Sequence, residues 1–320
     1  MKISVIGCGR WGSFIAWYLD RIGQNVLLYG REKSLKMQAF IETRTNGLVT
    51  LGDSVGLTCD LSAVRDSEVI VISVDSQGLS ALMAELSRLE LKNKIFVLCM
   101  KGIEISTGRR LSQVASDALD TSNSVAVWLG PGHVQEFCRG IPNCMVIDSD
   151  SKATKEFLVN EFSSELIRFY YGQDLIGNEI GAASKNVIGI AAGMLDGLGI
   201  SSLKGALMSR GTREISRLIK ALGGNELSAY GLCHLGDYEA TVFSEFSHNR
   251  RYGEMFIKGE KYDSLAEGCY TVEALMQLEN KYDAELPICN TVHDILYNNS
   301  DPEKSLSLLF DRSIKNEFDL

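Results

Sequence analysis

Histidine is scarce in this 320-residue chain, with four in all, and none of the eight cysteines stands at CxxC spacing from another. Those shortages argue against a structural zinc site and against a disulfide framework. The cysteines at 8, 59, 99, 138, 144, 233, 269 and 289 stand singly, several inside apolar runs such as residues 95–99. They read as reduced core thiols in a reducing compartment. No stretch approaches the roughly 20 apolar residues of a membrane span, and the apolar run at residues 1–7 is too short for a signal peptide. Positive charge is in deficit: the formal net charge is −9. That disfavours nucleic acid and anionic membrane as partners of the surface as a whole, so an anionic substrate needs a local basic pocket. Low-complexity tracts, internal repeats and a Pro/Ser-rich linker are all missing. The expectation is a folded, cytoplasmic protein with no resident metal and about two domains.

What is present is a strong alternation. Short apolar runs at 3–6, 26–29, 68–74, 94–99, 125–129 and 144–147 are bounded by Gly, Asp, Asn or Pro. They are uninterrupted rather than alternating, as expected of strands covered on both faces. Helical patterns at 14–22, 78–91 and 111–119 lie between them, so the first part predicts a doubly wound (Rossmann) parallel sheet over residues 1–172. From about residue 173 strand-like runs give way to helical patterns at 178–195, 205–222, 272–281 and 289–297. This predicts an all-helical second domain over 173–320. The segment 179–193 is crowded with small residues, which implies close packing deep in a bundle.

Gly7-Cys8-Gly9-Arg10-Trp11-Gly12 fits GxGxxG between the first strand and the first helix. Gly7 permits the tight turn, Gly9 lets backbone approach a pyrophosphate, and Gly12 lets helix pack on strand. The helix N-terminus offers its free N–H groups to phosphates. The second strand runs into Gly30-Arg31 where an NAD-specific site would place an acid, and the nearest acid is Glu32. An arginine there suits the 2′-phosphate of NADP; the plainer alternative is a solvated surface Arg31. NADP(H) is favoured, with NAD(H) compatible.

Lys185 interrupts a small, apolar helical pattern. Lysine is seldom buried unless paired, so it is expected to face a polar cleft, where it could protonate a carbonyl oxygen as hydride arrives at carbon. The alternative is a lysine that snorkels to the surface. Asn186 beside it could bond the same oxygen or the nicotinamide.

These segments, with Lys101-Gly102-Ile103-Glu104, Gly130-Pro131, Ser209-Arg210-Gly211, Leu235-Gly236-Asp237, Asn249-Arg250-Arg251 and Glu267-Gly268, resemble the bacterial-type NAD(P)-dependent glycerol-3-phosphate dehydrogenases nearly end to end. The resemblance implies hydride transfer between NAD(P)H and dihydroxyacetone phosphate, giving sn-glycerol 3-phosphate for phospholipid synthesis, in a homodimer. It implies that Lys185 is the catalytic lysine, and that Lys101 contacts cofactor and substrate. It further implies that Asp237 and Thr241 place the lysine and the substrate, that Glu267 lies at the nicotinamide end, and that Asn249 belongs to the phosphate-binding segment. The expected catalytic set is Lys185, Asp237 and Lys101. Cofactor contacts are expected from Gly7, Gly9, Arg10, Trp11, Gly12, Arg31, Lys101, Val134 and Glu267. Substrate contacts are expected from Lys101, Gly130, Gly132, Asn186, Asp237, Thr241, Ser247, His248 and Asn249.

Several positions depart from the family pattern. The family reads Ser-Arg-Asn where this chain has Ser247-His248-Asn249, and imidazole does not replace a bidentate guanidinium. His248 could still donate to a phosphate, or Arg250 or Arg251 could reach the site instead. Gly132-His133-Val134 stands where the family has Ser/Thr-Phe-Ala, and His234 replaces a glycine. The loop at 200–204 is one residue short and lacks an Asn. Three of the four histidines thus fall in site segments, with spacing that does not support a metal site. The same residues also suit a reductase of this architecture acting on another small phosphorylated ketone or oxo acid; a non-catalytic NADP(H) sensor would not need both lysines and Asp237.

Overall fold

In the computed structural model, which describes residues 1–309, an eight-stranded sheet has the order β3-β2-β1-β4-β5-β6-β7-β8. Its strands are β1 (Lys2–Ile6), β2 (Asn25–Tyr29), β3 (Gly56–Thr58), β4 (Val69–Ile72), β5 (Ile95–Leu98), β6 (Ser124–Leu129), β7 (Asn143–Ser149) and β8 (Ile167–Tyr171). Strands β1 to β6 are mutually parallel. Helices α1 (Arg10–Arg21), α2 (Leu35–Thr43), α3 (Leu79–Ser87), α4 (Leu111–Ala118), α5 (Val134–Cys138) and α6 (Lys152–Phe162) accompany them. The central strands are buried past their first residues, and β4 at every residue, which is why they read as unbroken apolar runs.

The parallel sheet expected from the sequence is present, with one antiparallel pairing towards an edge. β7 pairs antiparallel with β6, and β8 then runs parallel to β7. A parallel return needs a crossover about as long as a strand–helix unit, and between Leu129 and Asn143 the only helix is the five-residue α5. Two strands escaped the sequence reading. β3 is three residues long, and β8 (IRFYY) is buried only at alternate positions, as an edge strand is.

Among the described residues no strand follows β8. The chain passes into α7 (Leu175–Gly197), then α8 (Lys204–Ala221), α9 (His248–Ile257), α10 (Glu267–Tyr282), α11 (Pro287–Tyr297) and α12 (Pro302–Leu308). α7 is the hub, and 18 of its 23 residues are buried. Its small residues let backbones meet. A Cβ on Gly193 would fall 1.9 Å from Arg250 O, and one on Gly253 would fall 2.1 Å from Ile190 O, so α9 lies directly on α7. A Cβ on Gly268 would stand 2.7 Å from Asn186 O, which seats α10 just as closely. The effect is to hold the starts of α9 and α10 against the middle of α7, where Lys185 sits. Residues 310–320 of the expected second domain lie outside those described.

Candidate active site

The sheet's carboxyl ends define one wall of the site. After β1, Gly7 turns with φ +114°, and a Cβ there would meet Ser73 O at 2.1 Å. On Gly12 a Cβ would stand 1.9 Å from Gly7 O, whereas beside Gly9 nothing lies within 4 Å. The two outer glycines therefore serve the fold, and the middle one leaves open space. α1 begins there with Gly9 as N-cap, no side-chain cap and no acidic residue in its first turn. Those unanswered N–H groups beside open space fit the phosphates of a dinucleotide. Trp11 is taken up by packing, 5.1 Å from Phe14 and 6.2 Å from Phe137 between ring centroids. Arg31 follows β2 and is exposed. Val134 is 3% exposed, its side chain part of the sheet's core, so any role in binding falls to its main chain.

The catalytic candidates converge from four elements. Lys101 follows β5, Gly130 follows β6, Lys185 projects from α7, and Asp237 lies in the short turn Leu235–Asp237. One carboxylate oxygen, Asp237 Oδ2, is 2.6 Å from Lys101 Nζ and 2.7 Å from Lys185 Nζ. Lys101 also donates to Gly130 O at 2.7 Å. Lys185 donates to Thr241 Oγ1 at 2.7 Å, and that hydroxyl donates in turn to Asp237 O at 2.8 Å. Thr241 is carried by a π-helical turn, Glu239–Phe243, immediately after the acid. Asn186 Nδ2 reaches Lys101 O at 3.3 Å.

The electrostatics follow from burial. Lys185 is 6% exposed and Asp237 1%. Desolvation lowers the Lys185 ammonium to about 7; the Asp237 carboxylate opposes that shift and the Lys101 charge adds to it. Asp237 Oδ1, the other oxygen, is buried without a hydrogen-bond partner. Glu267, at the start of α10, accepts from Ser76 Oγ at 2.5 Å and from Ser76 N at 3.4 Å, bridging to the loop after β4. Burial pushes its carboxyl up to about 7.

At the start of α9, Ser247 caps the helix through Arg250 N, and Asn249 Oδ1 accepts from Gly268 N at 2.9 Å. The arginines expected to replace the missing guanidinium are engaged otherwise. Arg250 Nη1 binds Asp196 at 2.6 Å and Glu254 at 3.0 Å, and Arg251 is exposed, its guanidinium 6.0 Å from the Tyr262 ring centroid. His234 serves the core. Its Nδ1 bonds Gly181 O at 2.8 Å and its Nε2 bonds Tyr238 Oη at 2.7 Å, and burial lowers it to about 4. Gly132 is set by packing, since a Cβ there would meet the Phe137 ring at 2.4 Å.

Three neighbours of the site were missed by the sequence reading. Ser76 could have been found by following the strand-end rule to β4. Gln135, which accepts from Arg10, and Tyr262, which bonds His248, carry no such signal.

Residues 2–155 match the family described as NAD-dependent glycerol-3-phosphate dehydrogenase N-terminus, and residues 174–307 match the corresponding C-terminus. The chain is 36% identical over 329 residues to a glycerol-3-phosphate dehydrogenase (NAD(P)+) of Thermoanaerobacter sp., covering 99% of each. A protein of the same name from Fusobacterium nucleatum is 34% identical over 331 residues, covering 99% of this chain and 98% of that one. The crystal structure of the Coxiella burnetii glycerol-3-phosphate dehydrogenase superposes with a TM-score of 0.92 at 27% identity, over 97% of this chain and 99% of that one. A ketopantoate reductase from Ralstonia eutropha, at 13% identity and a TM-score of 0.64 over 96% of this chain and 100% of that one, shares the fold alone. The chain thus belongs to the NAD-dependent glycerol-3-phosphate dehydrogenase family, and it is an oxidoreductase.

Proposed function

We propose that this dehydrogenase interconverts dihydroxyacetone phosphate and sn-glycerol 3-phosphate with NAD(P)H, with Lys185 as general acid and base. The observation that carries the reading is the sharing of one Asp237 oxygen by Lys185 and Lys101, at 2.7 and 2.6 Å, at the carboxyl ends of β5 and β6. Gly7, Gly9 and Gly12, the start of α1, and Glu267 would hold the cofactor, which supplies the hydride in one direction and takes it up in the other. Lys185 gives its proton to the carbonyl oxygen during reduction and recovers it during oxidation; an amine poised near neutrality suits both directions. Lys101 offsets negative charge developing on that oxygen. Asp237 holds the two lysines in register, and its unpartnered Oδ1 remains for a substrate hydroxyl. Asn249, at the start of α9, lies on the side assigned to the phosphate.

Arg31 supports a preference for NADP(H), since it stands exposed at the end of β2 with no acid in the NAD-reading place. We assign residues 1–172 to cofactor binding and 173–320 to the substrate. A cytoplasmic homodimer supplying glycerol phosphate for phospholipids completes the reading.

The test is oxidation of NADPH and NADH, followed at 340 nm, by purified protein with dihydroxyacetone phosphate. Turnover that is lost in Lys185→Ala supports the reaction and its acid; near-normal turnover in that variant overturns the mechanism. Arg31→Gln should narrow the NADPH-to-NADH ratio of kcat/KM. An absence of turnover while NADPH still binds would assign the site to another phosphorylated ketone, consistent with His248 in place of arginine.

A further inference from the structure

Arg10 is a half-buried cation on the first turn of α1. Among the described residues its hydrogen bonds go to neutral acceptors. Nη2 donates to Gln135 Oε1 at 2.9 Å, and Nη1 lies 3.2 Å from His248 Nε2. No carboxylate of those residues forms an ion pair with it, and burial lowers its pKa. A guanidinium has only donors, so His248 Nε2 must accept from it; the imidazole proton then sits on Nδ1 and is donated to Tyr262 Oη at 2.5 Å. His248 is held below its ordinary pKa by burial and by Arg10, Arg251 and Lys36, which favours this neutral form. The imidazole thus aims a guanidinium whose remaining N–H donors are available to a ligand.

The charge balance of the site points the same way. A substrate phosphate brought between the two halves needs a cation that is not already answered. Lys101 and Lys185 share Asp237, and Arg250 is bound to Asp196 and Glu254. Arg10, half-buried beside His248, has no carboxylate partner among the described residues. Although the sequence places Arg10 among the cofactor contacts, its side chain bonds Gln135 and, at the start of α9 where Asn249 sits, His248. His133, lowered chiefly by burial, also feels the charges of Glu136, Lys185, Asp237 and Arg10. Its Nε2 is buried with no hydrogen-bond partner.

We infer that Arg10, from the cofactor-binding half, supplies the guanidinium that seats the substrate's phosphate, aimed by His248 and assisted by His133, in place of the arginine this chain lacks beside Asn249. The inference rests on the dihydroxyacetone phosphate reading for its substrate, but the phosphate seat itself can be tested without turnover.

The experiment is calorimetric titration of the full-length protein with inorganic phosphate and, separately, with NADPH, in wild type, Arg10→Gln and Arg10→Lys. Loss of a charge-assisted bidentate contact should weaken phosphate binding about 10-fold or more in Arg10→Gln, with NADPH affinity held within about twofold. Arg10→Lys keeps a point charge and should fall between the two. With dihydroxyacetone phosphate the change should appear in KM and leave kcat largely intact. Adding His248→Arg to Arg10→Gln should restore phosphate binding, which a merely structural role would not do. Unchanged phosphate binding in Arg10→Gln, or no phosphate binding by wild type, overturns the inference. So does an equal loss of NADPH affinity, which would place Arg10 on the cofactor's pyrophosphate. If wild type binds phosphate through Arg10 yet reduces no dihydroxyacetone phosphate, the substrate reading fails and the phosphate seat stands.

Discussion

Lys185 Nζ and Asp237 Oδ2 are 2.7 Å apart in a place almost closed to solvent, yet the lysine is lowered to about 7 rather than raised by its partner. Burial is the largest influence on the lysine and outweighs the carboxylate's attraction, and the like charge of Lys101 on the same oxygen adds to the lowering.

The sign of the pH dependence follows. In the proposed mechanism reduction uses the Lys185 ammonium as proton donor, so its rate should fall as pH rises through about 7. Oxidation needs the free amine, so its rate should rise over the same interval. Profiles of kcat in the two directions check this. Lys185→Arg, which stays protonated, should lose that limb, and Lys185→Ala should lose about 10²–10⁴-fold in kcat. Parallel profiles in both directions would remove Lys185 from proton transfer.

Asp237→Asn keeps the shape and removes the charge. Because Asp237 is the group holding Lys185 up against desolvation, the Lys185 limb should move below about 7, and kcat should fall by about 10²-fold or more. Removing one partner from a buried ion cluster costs about 3–5 kcal/mol where the remaining charge cannot escape. Lys185 can shed its proton, so thermal unfolding should show a smaller loss than that range.

The glycine motif separates fold from binding. Gly9→Ala adds a methyl to open space and should leave Tm unchanged while weakening NAD(P)H binding. Gly12→Ala drives a methyl to 1.9 Å from Gly7 O, where both partners are backbone. It should lower Tm by several degrees, an overpacking effect of about 1–3 kcal/mol. Calorimetry and fluorescence titration of the two variants check the division.

His234 has its own pH signature. Its folded pKa, about 4, lies below the ordinary 6.5, so between these values the unfolded chain binds the extra proton. Its contribution is therefore complete above pH 6.5 and is lost as pH falls towards 4, about 3 kcal/mol in all. Denaturant unfolding of wild type and His234→Gln across that range should show wild type losing ground by about this amount relative to the variant.

Much of the fold was legible along the chain. The central strands declare themselves because both faces are covered, and the glycine motif because its residues obey local backbone and contact constraints. Edges were harder to read. β3 is three residues long, β8 buries alternate positions, and the reversal of β7 depends on a connection too short for a crossover.

The site divides along the same line. Lys185 stood out because a lysine within a run of small apolar residues needs a partner. That its partner is Asp237, that Lys101 shares the same oxygen, and that His234 belongs to the core are contacts made by residues far apart in sequence. His248 shows the limit most clearly. From the sequence alone, Arg250 and Arg251 beside it were the natural replacements for the missing guanidinium. In the folded chain Asp196 and Glu254 hold Arg250, Arg251 lies exposed beside Tyr262, and Arg10 arrives from the other half of the molecule. The sequence by itself determined the periodic elements and the reaction class, because these depend on local spacing and residue chemistry. Which charges answer one another was decided by tertiary structure alone, because burial and distance set the strength of every such pair, and neither is a property of neighbours along the chain.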